Sequence, residues 1–314
     1  MKRSFALLAF LAAPAWAIVI TTGDPNSSVY TVGYQEVVGG VNLSGVVKVT
    51  SSRGACTGSL LGDGYSILTS AHCVTSAYGS SLATGITASF KASSGFVPIS
   101  VDLTFIDPAY TGDATLGGDL AVLRLNGAAP SWASRYSLFS GGMPTNPLVI
   151  AGYGLSGVGA TGATLAYGTL RAGTNQYVTT GAEFGWSGNL LMGQFYDASR
   201  ASSNALNAAN TYSASDQVMI ASGDSGGPSF YAGSIVGVHD LLVCISPENN
   251  DNICAVPPSL TTSLNSSFGQ IFADVSVSAK RDWIEAQMLP EPGTFLLFAP
   301  PLVFLYRRKR HSKR

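Results

Sequence analysis

Three polar residues stand in segments whose composition is typical of nucleophilic catalysis. They are His72 in the segment LTSAHC, Asp119 in GDLAVL and Ser225 in GDSGGP. A serine hydroxyl is a poor nucleophile at neutral pH, so it needs a base within hydrogen-bond reach and a third group that orients the base. We expect Ser225 to attack, His72 to move its proton, and Asp119 to hold the imidazole in the required tautomer.

Glycines frame the serine because the chain has to turn sharply at this point. Such a turn presents the amide N–H groups of Gly223 and Ser225 to one point, where the oxyanion of an acyl-transfer reaction forms. We therefore predict that these two amides form an oxyanion hole. A plain turn would account for the glycines, but not for the Asp-Ser pair between them.

The order of the segments separates two enzyme classes, since a serine between glycines also occurs in α/β-hydrolases. In that class the histidine comes last, whereas here Ser225 is followed only by His239, close behind it, and by His311 in a basic tail. The order His72, Asp119, Ser225 instead resembles that of the trypsin-like, chymotrypsin-fold serine proteases. We interpret His239 as a structural histidine.

The resemblance extends beyond these three segments and covers about residues 40 to 288. Its other matches are FIDPAY at 105–110, IAGYG at 150–154, FADV at 272–275 and DWI at 282–284. All of them occur in the order that the family has along its chain.

The family resemblance implies an all-β fold, with two packed antiparallel β-barrels of the chymotrypsin type and a short C-terminal helix. Within one protease domain over residues 18–288, the barrels would span about 40–140 and 145–276, and the helix about 277–288. The chain of 314 residues is long enough for one such unit once its two ends are set aside.

Alternating apolar residues and turn-forming residues predict short strands without reference to the family. The strands lie at about 46–50, 57–61, 66–69, 97–105, 120–125, 148–151, 168–172, 217–220, 234–239 and 270–275. Helical spacing occurs near the end, where Val277, Ile284 and Met288 share one face. The segments 156–164 and 198–215 are expected to be loops.

The first 17 residues have the pattern of a secretory signal peptide. Lys2 and Arg3 precede an apolar run over 5–13, and AWA at 15–17 supplies the small-residue site that a signal peptidase reads. We expect export, with a mature chain that begins at Ile18. The alternative is a buried amino-terminal helix.

Residues 289–314 resemble a bacterial PEP-CTERM sorting signal, because LPEPG is followed by an apolar stretch and then by RRKR. The resemblance implies processing at the Pro-Glu-Pro by an exosortase-type enzyme. The apolar stretch 293–306 has 14 residues, about 21 Å as a helix against roughly 30 Å of hydrocarbon, so we expect transient membrane association. An ordinary short membrane tail is the alternative, and both place the domain outside the cell or at its surface.

The charge of the chain argues against nucleic acid as a partner. Of 17 basic residues, 8 lie in the two terminal segments. Residues 18–289 therefore carry 9 basic and 17 acidic side chains, and their net charge near −8 repels phosphate backbones and anionic surfaces. No motif implies a cofactor.

Four cysteines in an exported protein predict two disulfides, with three possible pairings. The family resemblance implies Cys56 with Cys73, beside the catalytic histidine, which leaves Cys244 with Cys254. Zinc is the other interpretation of four cysteines, but no CxxC spacing supports it, so we expect no metal site.

The substrate pocket and the activation step are predicted from the resemblance alone. In the family, the residue six positions before the catalytic serine forms the floor of the pocket, and here it is Met219. Without a carboxylate there, we expect a preference for uncharged residues over Arg or Lys. Many relatives also insert a newly cut amino terminus against the residue before the serine, here Asp224. The new terminus would be Ile18 or lie in VVGG at 37–40, unless Asp224 is satisfied locally.

The sequence thus predicts an exported bacterial serine endopeptidase that acts on proteins or peptides. Signal peptidase and an exosortase-type enzyme would be its processing partners. A catalytically inactive protease-like module for surface binding or adhesion is the alternative, although a pure binder has no need of His72, Asp119 and Ser225 together. An esterase would use the same three residues.

Overall fold

The computed structural model describes residues 18–76, 81–209, 211–243 and 265–288. The signal segment, the tail from residue 289 and the Cys244–Cys254 pair expected from the sequence lie outside these ranges. Within them, no helix is both long and apolar enough to cross a membrane.

Most of the described chain forms β-strands, and the last described element is an α-helix. In chain order the strands are β1 (Ile18–Ile20), β2 (Val37–Val38), β3 (Val41–Asn42), β4 (Val46–Ser51), β5 (Gly54–Leu60), β6 (Ser66–Thr69), β7 (Thr87–Ala92), β8 (Gly95–Ile106), β9 (Ala121–Leu125), β10 (Leu148–Gly152), β11 (Ser156–Val158), β12 (Gly162–Leu165), β13 (Arg171–Asn175), β14 (Tyr177–Thr180), β15 (Leu190–Gln194), β16 (Val218–Met219), β17 (Pro228–Tyr231), β18 (Ser234–Val243) and β19 (Ile271–Ser276). The helix, α1, spans Val277–Gln287, and short 3-10 helices lie at Leu43–Gly45, Ala71–Cys73, Ala114–Leu116, Gly181–Phe184 and Ala201–Ser203.

The first half of the chain forms a closed barrel of six strands in the order β4-β5-β6-β9-β8-β7. Every neighbouring pair in it is antiparallel. Side chains of a strand alternate between two faces, so Val47 and Val49 of β4 pack with Ile67 and Leu123 in the barrel core. Closure leaves no free strand edge, and the barrel is therefore a firm support for side chains at its strand ends.

The second half is a seven-stranded antiparallel sheet in the order β13-β10-β17-β18-β19-β15-β14. A four-stranded sheet, β12-β11-β1-β16, lies beside it, and there β1 runs parallel to β11. A bridge from Thr174 of β13 to Gln217 connects the two sheets. The expected β architecture with a C-terminal helix is confirmed, but among the described residues the second sheet does not close into a barrel.

The segment 156–164, expected to be a loop, instead contains β11, the turn after it and the start of β12. Its composition is typical of a loop, but β11 pairs with β1, which lies 138 residues earlier in the chain. All three residues of β1 are fully buried, so burial of a distant apolar strand outweighs local propensity here. In 198–215 the described residues hold the short 3-10 helix Ala201–Ser203 and otherwise loop, as expected.

The helix α1 ends the described chain and packs on both halves. The Ser276 hydroxyl caps it by accepting a hydrogen bond at 3.4 Å from the amide of the third helical residue. Val277 and Ile284 are buried on one face, as their spacing predicted. Lys280 pairs with Asp107 of the first half at 2.7 Å, which fixes the helix against the barrel side.

One apolar cluster joins the two halves. Leu68 and Val122 from the barrel pack in it with Ala151 and Val238 from the seven-stranded sheet. Side chains at this junction are consequently held by packing from both halves.

Candidate active site

Strand pairing in the barrel brings His72 and Asp119 together. The strands β6 and β9 are antiparallel neighbours, with Thr69 opposite Ala121. His72 follows the end of β6 and Asp119 precedes the start of β9, so both leave the barrel at the same edge. The His72 amide donates to Asp119 Oδ1 at 2.9 Å, and His72 Nδ1 lies 2.5 Å from Asp119 Oδ2. Both carboxylate oxygens therefore hold the histidine.

The pair is enclosed on the aspartate side and open on the histidine side, since 2% of the Asp119 side chain and 37% of the His72 side chain are exposed. Burial alone would raise the pKa of Asp119, but the hydrogen bonds and charge of His72, with a contribution from Asp240, hold that pKa below its usual range. Burial lowers the pKa of His72, yet the hydrogen bond to Asp119 and its charge outweigh this effect and raise the pKa above its usual value. The geometry thus keeps Asp119 ionised and makes His72 a stronger base.

Ser225 lies in the loop between β16 and β17, which turns through glycines with left-handed backbone. Gly223 has a φ of +94° and Gly226 a φ of +78°. A Cβ at Gly226 would lie 2.0 Å from Thr69 Oγ1, so only glycine lets the loop approach the barrel this closely. The amides of Gly223 and Ser225 donate no hydrogen bond within the described residues, and both are available to an oxyanion.

Thr57 of β5 fixes this loop against the barrel. Its amide donates to the Ser225 carbonyl at 2.9 Å, and its hydroxyl donates to the Gly223 carbonyl at 3.0 Å. The same hydroxyl accepts a hydrogen bond at 3.0 Å from the amide of Tyr153 in the second half. Sequence reasoning missed Thr57, because its role depends on a residue 166 positions away and no local pattern marks it.

His72, Gly223 and Ser225 line one cavity of about 210 Å³. Its other walls are Arg53, Gly54, Ala55, Cys56, Cys73 and Ser222. A disulfide joins Cys56 to Cys73 at its edge, which confirms that pairing. The Ser225 hydroxyl has no hydrogen-bond partner among the described residues, and catalytic hydrogen bonds are often long until substrate binds. The cavity therefore brings together the expected nucleophile, the expected base and the two residues whose amides we expect to bind an oxyanion.

A larger cavity of about 460 Å³ lies between α1 and residues 107–109. Its walls hold charged side chains such as Lys280 and Asp282, but no histidine and no cysteine. Since no histidine or cysteine lines it beside a serine, size alone does not make it the candidate site.

Asp224, directly before the serine, is fully buried and satisfied locally. Its Oδ1 accepts the Gly154 amide at 2.7 Å and its Oδ2 accepts the Ala221 amide at 2.8 Å. Burial raises the pKa of this carboxyl to about 6 against the effect of these hydrogen bonds. The VVGG segment starts with β2, part of the two-stranded hairpin β2-β3, and Val37 is 58% exposed. These contacts match the alternative in which Asp224 needs no inserted terminus.

Met219 and His239, both singled out in the sequence, are fully buried and do not line the cavity that contains Ser225. Met219 belongs to β16, where it pairs with Val19 of β1. His239 Nδ1 lies 3.0 Å from Asp274 Oδ1, a contact typical of a structural histidine. The structure therefore brings the expected triad residues to one site but keeps these two side chains away from it.

In the part of the chain that the structure describes, two clusters bring metal-binding side chains close together, but neither offers a free set of ligands. Cys56, His72 and Cys73 form the first, and their disulfide leaves no thiolate. His72, Asp119 and Asp240 form the second, in which His72 already engages both oxygens of Asp119.

Comparisons with known proteins identify the family and the fold. The family model described as Trypsin matches residues 31–256. Among solved structures, neuropsin, a serine protease expressed in the limbic system of mouse brain, is similar with a TM-score of 0.55 and 15% sequence identity, over 78% of this chain and 95% of neuropsin. At that identity the likeness shows the fold alone, and the expected chymotrypsin-type fold is confirmed. No curated protein matches the chain.

Replacing Thr57 with valine keeps the shape of the side chain and removes its hydroxyl. We expect Thr57→Val to lower the free energy of unfolding by about 2 kcal/mol, because the Gly223 carbonyl and the Tyr153 amide lose a buried partner. The reaction of Ser225 with a fluorophosphonate should slow by roughly 10²-fold as the oxyanion donor shifts. Urea denaturation and labelling kinetics measure both effects. Thr87→Val, on the same barrel with one long hydroxyl contact of 3.5 Å, is the control and should change neither.

Proposed function

The chain belongs to the trypsin family of serine proteases, and on this premise we propose that it is an exported bacterial endopeptidase that cleaves peptide bonds with His72, Asp119 and Ser225. One observation carries the proposal: His72, held by the buried Asp119, lines the same cavity as Ser225. Nothing in this cavity requires a cofactor, because the three side chains and two amides supply the base, nucleophile and oxyanion donors.

In the proposed reaction, the Ser225 hydroxyl attacks the substrate carbonyl while His72 Nε2 accepts its proton. Asp119 keeps the other ring nitrogen protonated and stabilises the imidazolium that forms. The carbonyl oxygen becomes an oxyanion, which the amides of Gly223 and Ser225 bind. His72 then gives the proton to the leaving amine, and water hydrolyses the acyl-enzyme with the same base.

An inactive module for surface binding or adhesion would need none of this arrangement. The lowered pKa of Asp119 and the raised pKa of His72 support a working base, since catalytic groups are the ones whose pKa values such contacts tune. An esterase would use the same chemistry and differ only in the leaving group.

The first test is the intact mass of the exported domain, residues 18–289, after exposure to a fluorophosphonate. We expect one adduct on the wild type and none on Ser225→Ala. Ser222→Ala, which changes a neighbouring serine of the same cavity, should still form the adduct. No adduct on folded wild type would favour the binding module, and a labelled protein that turns over esters but no peptides would favour the esterase.

We further propose that the enzyme cleaves after uncharged residues, because position 219 holds the buried Met219 in place of a carboxylate and no Asp or Glu is among the described residues that line the cavity of Ser225. In a peptide library read by mass spectrometry, kcat/KM for uncharged residues should exceed that for Arg or Lys by at least about tenfold, since a charged side chain would be desolvated without a partner. Efficient cleavage after Arg, unchanged in Met219→Asp, would contradict this preference.

The proposed mature start at Ile18 has support from the backbone. Ile18 has a φ of +61°, a left-handed conformation that costs a β-branched residue roughly 1–3 kcal/mol. This torsion involves the peptide bond to residue 17, so cleavage by signal peptidase would remove it and its strain. The strand β1 would stay in place, because Val19 and Ile20 pair with β16 and β11.

Intact mass and terminal sequencing of protein recovered outside the cell test both proposed processing steps. We expect an amino terminus at Ile18 and, if an exosortase-type enzyme acts on the tail, a carboxyl terminus near the Pro-Glu-Pro that follows residue 289. A mature chain that begins at Val37 or Val38 would contradict the first step. Recovery of protein that still contains RRKR at 307–310 would contradict the second step and favour a membrane tail.

A further inference from the structure

Asp240 occupies a β-bulge of β18, which interrupts the regular alternation of side chains. Consecutive residues of β19 pair with His239 and with Leu241, so Asp240 is the extra residue between them. Bulges redirect a side chain and are frequent beside active sites. The preceding carbonyl, that of His239, accepts hydrogen bonds at 2.8 Å from the Gly226 amide and the Ser70 hydroxyl, which fixes the bulge between both halves.

The carboxyl group of Asp240 lies next to the proposed triad and lacks a partner of its own. A carboxyl oxygen of Asp240, one of Asp119 and a ring nitrogen of His72 all lie within 4.8 Å of one another. Only 7% of Asp240 is exposed, and neither of its oxygens accepts a hydrogen bond from a donor in the described residues. No ion pair between described residues includes it. An ionised carboxylate in this position would be very costly.

Two buried carboxylates this close do not both ionise, because like charges repel strongly where water is excluded. Asp119 is the one that stays ionised, since His72 engages both of its oxygens. A carboxylate oxygen has two lone pairs and can accept a second hydrogen bond, whereas a protonated Asp240 has one O–H to donate.

We propose that Asp240 is a neutral carboxylic acid that donates a hydrogen bond to Asp119 and positions it against His72. The effect on catalysis rests on the proposed function, but the hydrogen bond itself does not depend on reaction at Ser225. Asp240 is a positioning residue, because it acts on the substrate only through Asp119 and His72. Held from two sides, the Asp119 carboxylate keeps the orientation that the imidazole needs.

The surroundings of Asp240 favour its neutral form. The titratable groups that interact with it include Asp119 and His72 beside it, Asp274 of β19, Asp113 and Tyr110. Burial raises the pKa of Asp240 well above that of an ordinary carboxyl, and the charge of Asp119, the hydrogen bond to it and the charges of Asp274 and Asp113 act in the same direction. When His72 is neutral, none of these groups carries a positive charge that would lower the pKa of Asp240.

Two replacements of similar size separate the hydrogen bond from the charge. Asp240→Asn keeps a donor but cannot ionise, and Asp240→Leu has neither donor nor charge. The measurement is the rate constant of fluorophosphonate labelling of Ser225 on the exported domain from about pH 5 to about pH 10. We expect Asp240→Leu to lower it roughly 10- to 100-fold, the effect of losing a hydrogen bond to a charged group, and Asp240→Asn to restore most of it. Wild type should lose rate at alkaline pH, where Asp240 ionises beside Asp119, and Asp240→Asn should not.

The pH dependence of unfolding tests the same hydrogen bond without any activity. Because the pKa of Asp240 is higher in the folded than in the unfolded chain, the stability it contributes is present in acid and is lost as pH rises from an ordinary carboxyl pKa to the raised one. The folding equilibrium constant of wild type relative to Asp240→Asn should therefore fall about tenfold per pH unit in this window. Asp102→Asn, an exposed aspartate on β8, is the control for loss of charge and should show no such fall.

The stability ratio tests whether Asp240 is neutral, and the labelling rate tests whether it positions Asp119. A stability ratio independent of pH would overturn the neutral state of Asp240, and labelling of Asp240→Leu at the wild-type rate would overturn its positioning role. If wild type is not labelled while the ratio still falls with pH, the proposed function fails and the neutral acid is supported.

Discussion

The candidate active site depends on the hydrogen bonds that hold a loop of one half of the molecule against a strand of the other. His72, the proposed base, and Asp119 lie at strand ends of a closed barrel, whereas Ser225 lies on a turn of the second half. Thr57 bridges them by binding the carbonyls on both sides of Asp224. The turn comes this close only because residue 226 is a glycine. A misplacement of about 1 Å in such a site can cost two orders of magnitude in rate, so the docking of the loop is a functional constraint.

Three buried aspartates near this loop differ in how readily they ionise, because their hydrogen-bond partners differ. Asp119 stays ionised because His72 engages both of its oxygens. Asp224 is enclosed and bound by two backbone amides, and its pKa rises to about 6. Asp240 has neither a cation nor a described donor, and a proton is the simplest way to accommodate it next to Asp119. The same residue type thus supplies a charge where the imidazole needs one and, as we propose, a neutral donor behind it.

The four-stranded sheet that contains β1 could not be predicted from short segments of the sequence. Three apolar residues after the expected cleavage site and a segment of small residues at 156–164 each lack a convincing strand pattern. These two segments form β1 and β11 because they pair with each other, and β16 pairs with the other edge of β1. This pairing also encloses Met219, which the family resemblance had assigned to a substrate pocket.

The sequence by itself determined the chemistry that is available and the kind of fold that carries it. Residue types at His72, Asp119 and Ser225, the glycines around the serine and the apolar periodicity of the strands are properties of short segments, so they can be read locally. Only the tertiary structure decided that Thr57 holds the serine loop, that Asp240 lies against Asp119 and that the second sheet stays open among the described residues. The physical reason is distance along the chain. The hydrogen bonds that build the site join residues 47 to 166 positions apart, so they form only after folding. Burial and the pKa shifts it causes likewise appear only when folding has excluded water from between these residues.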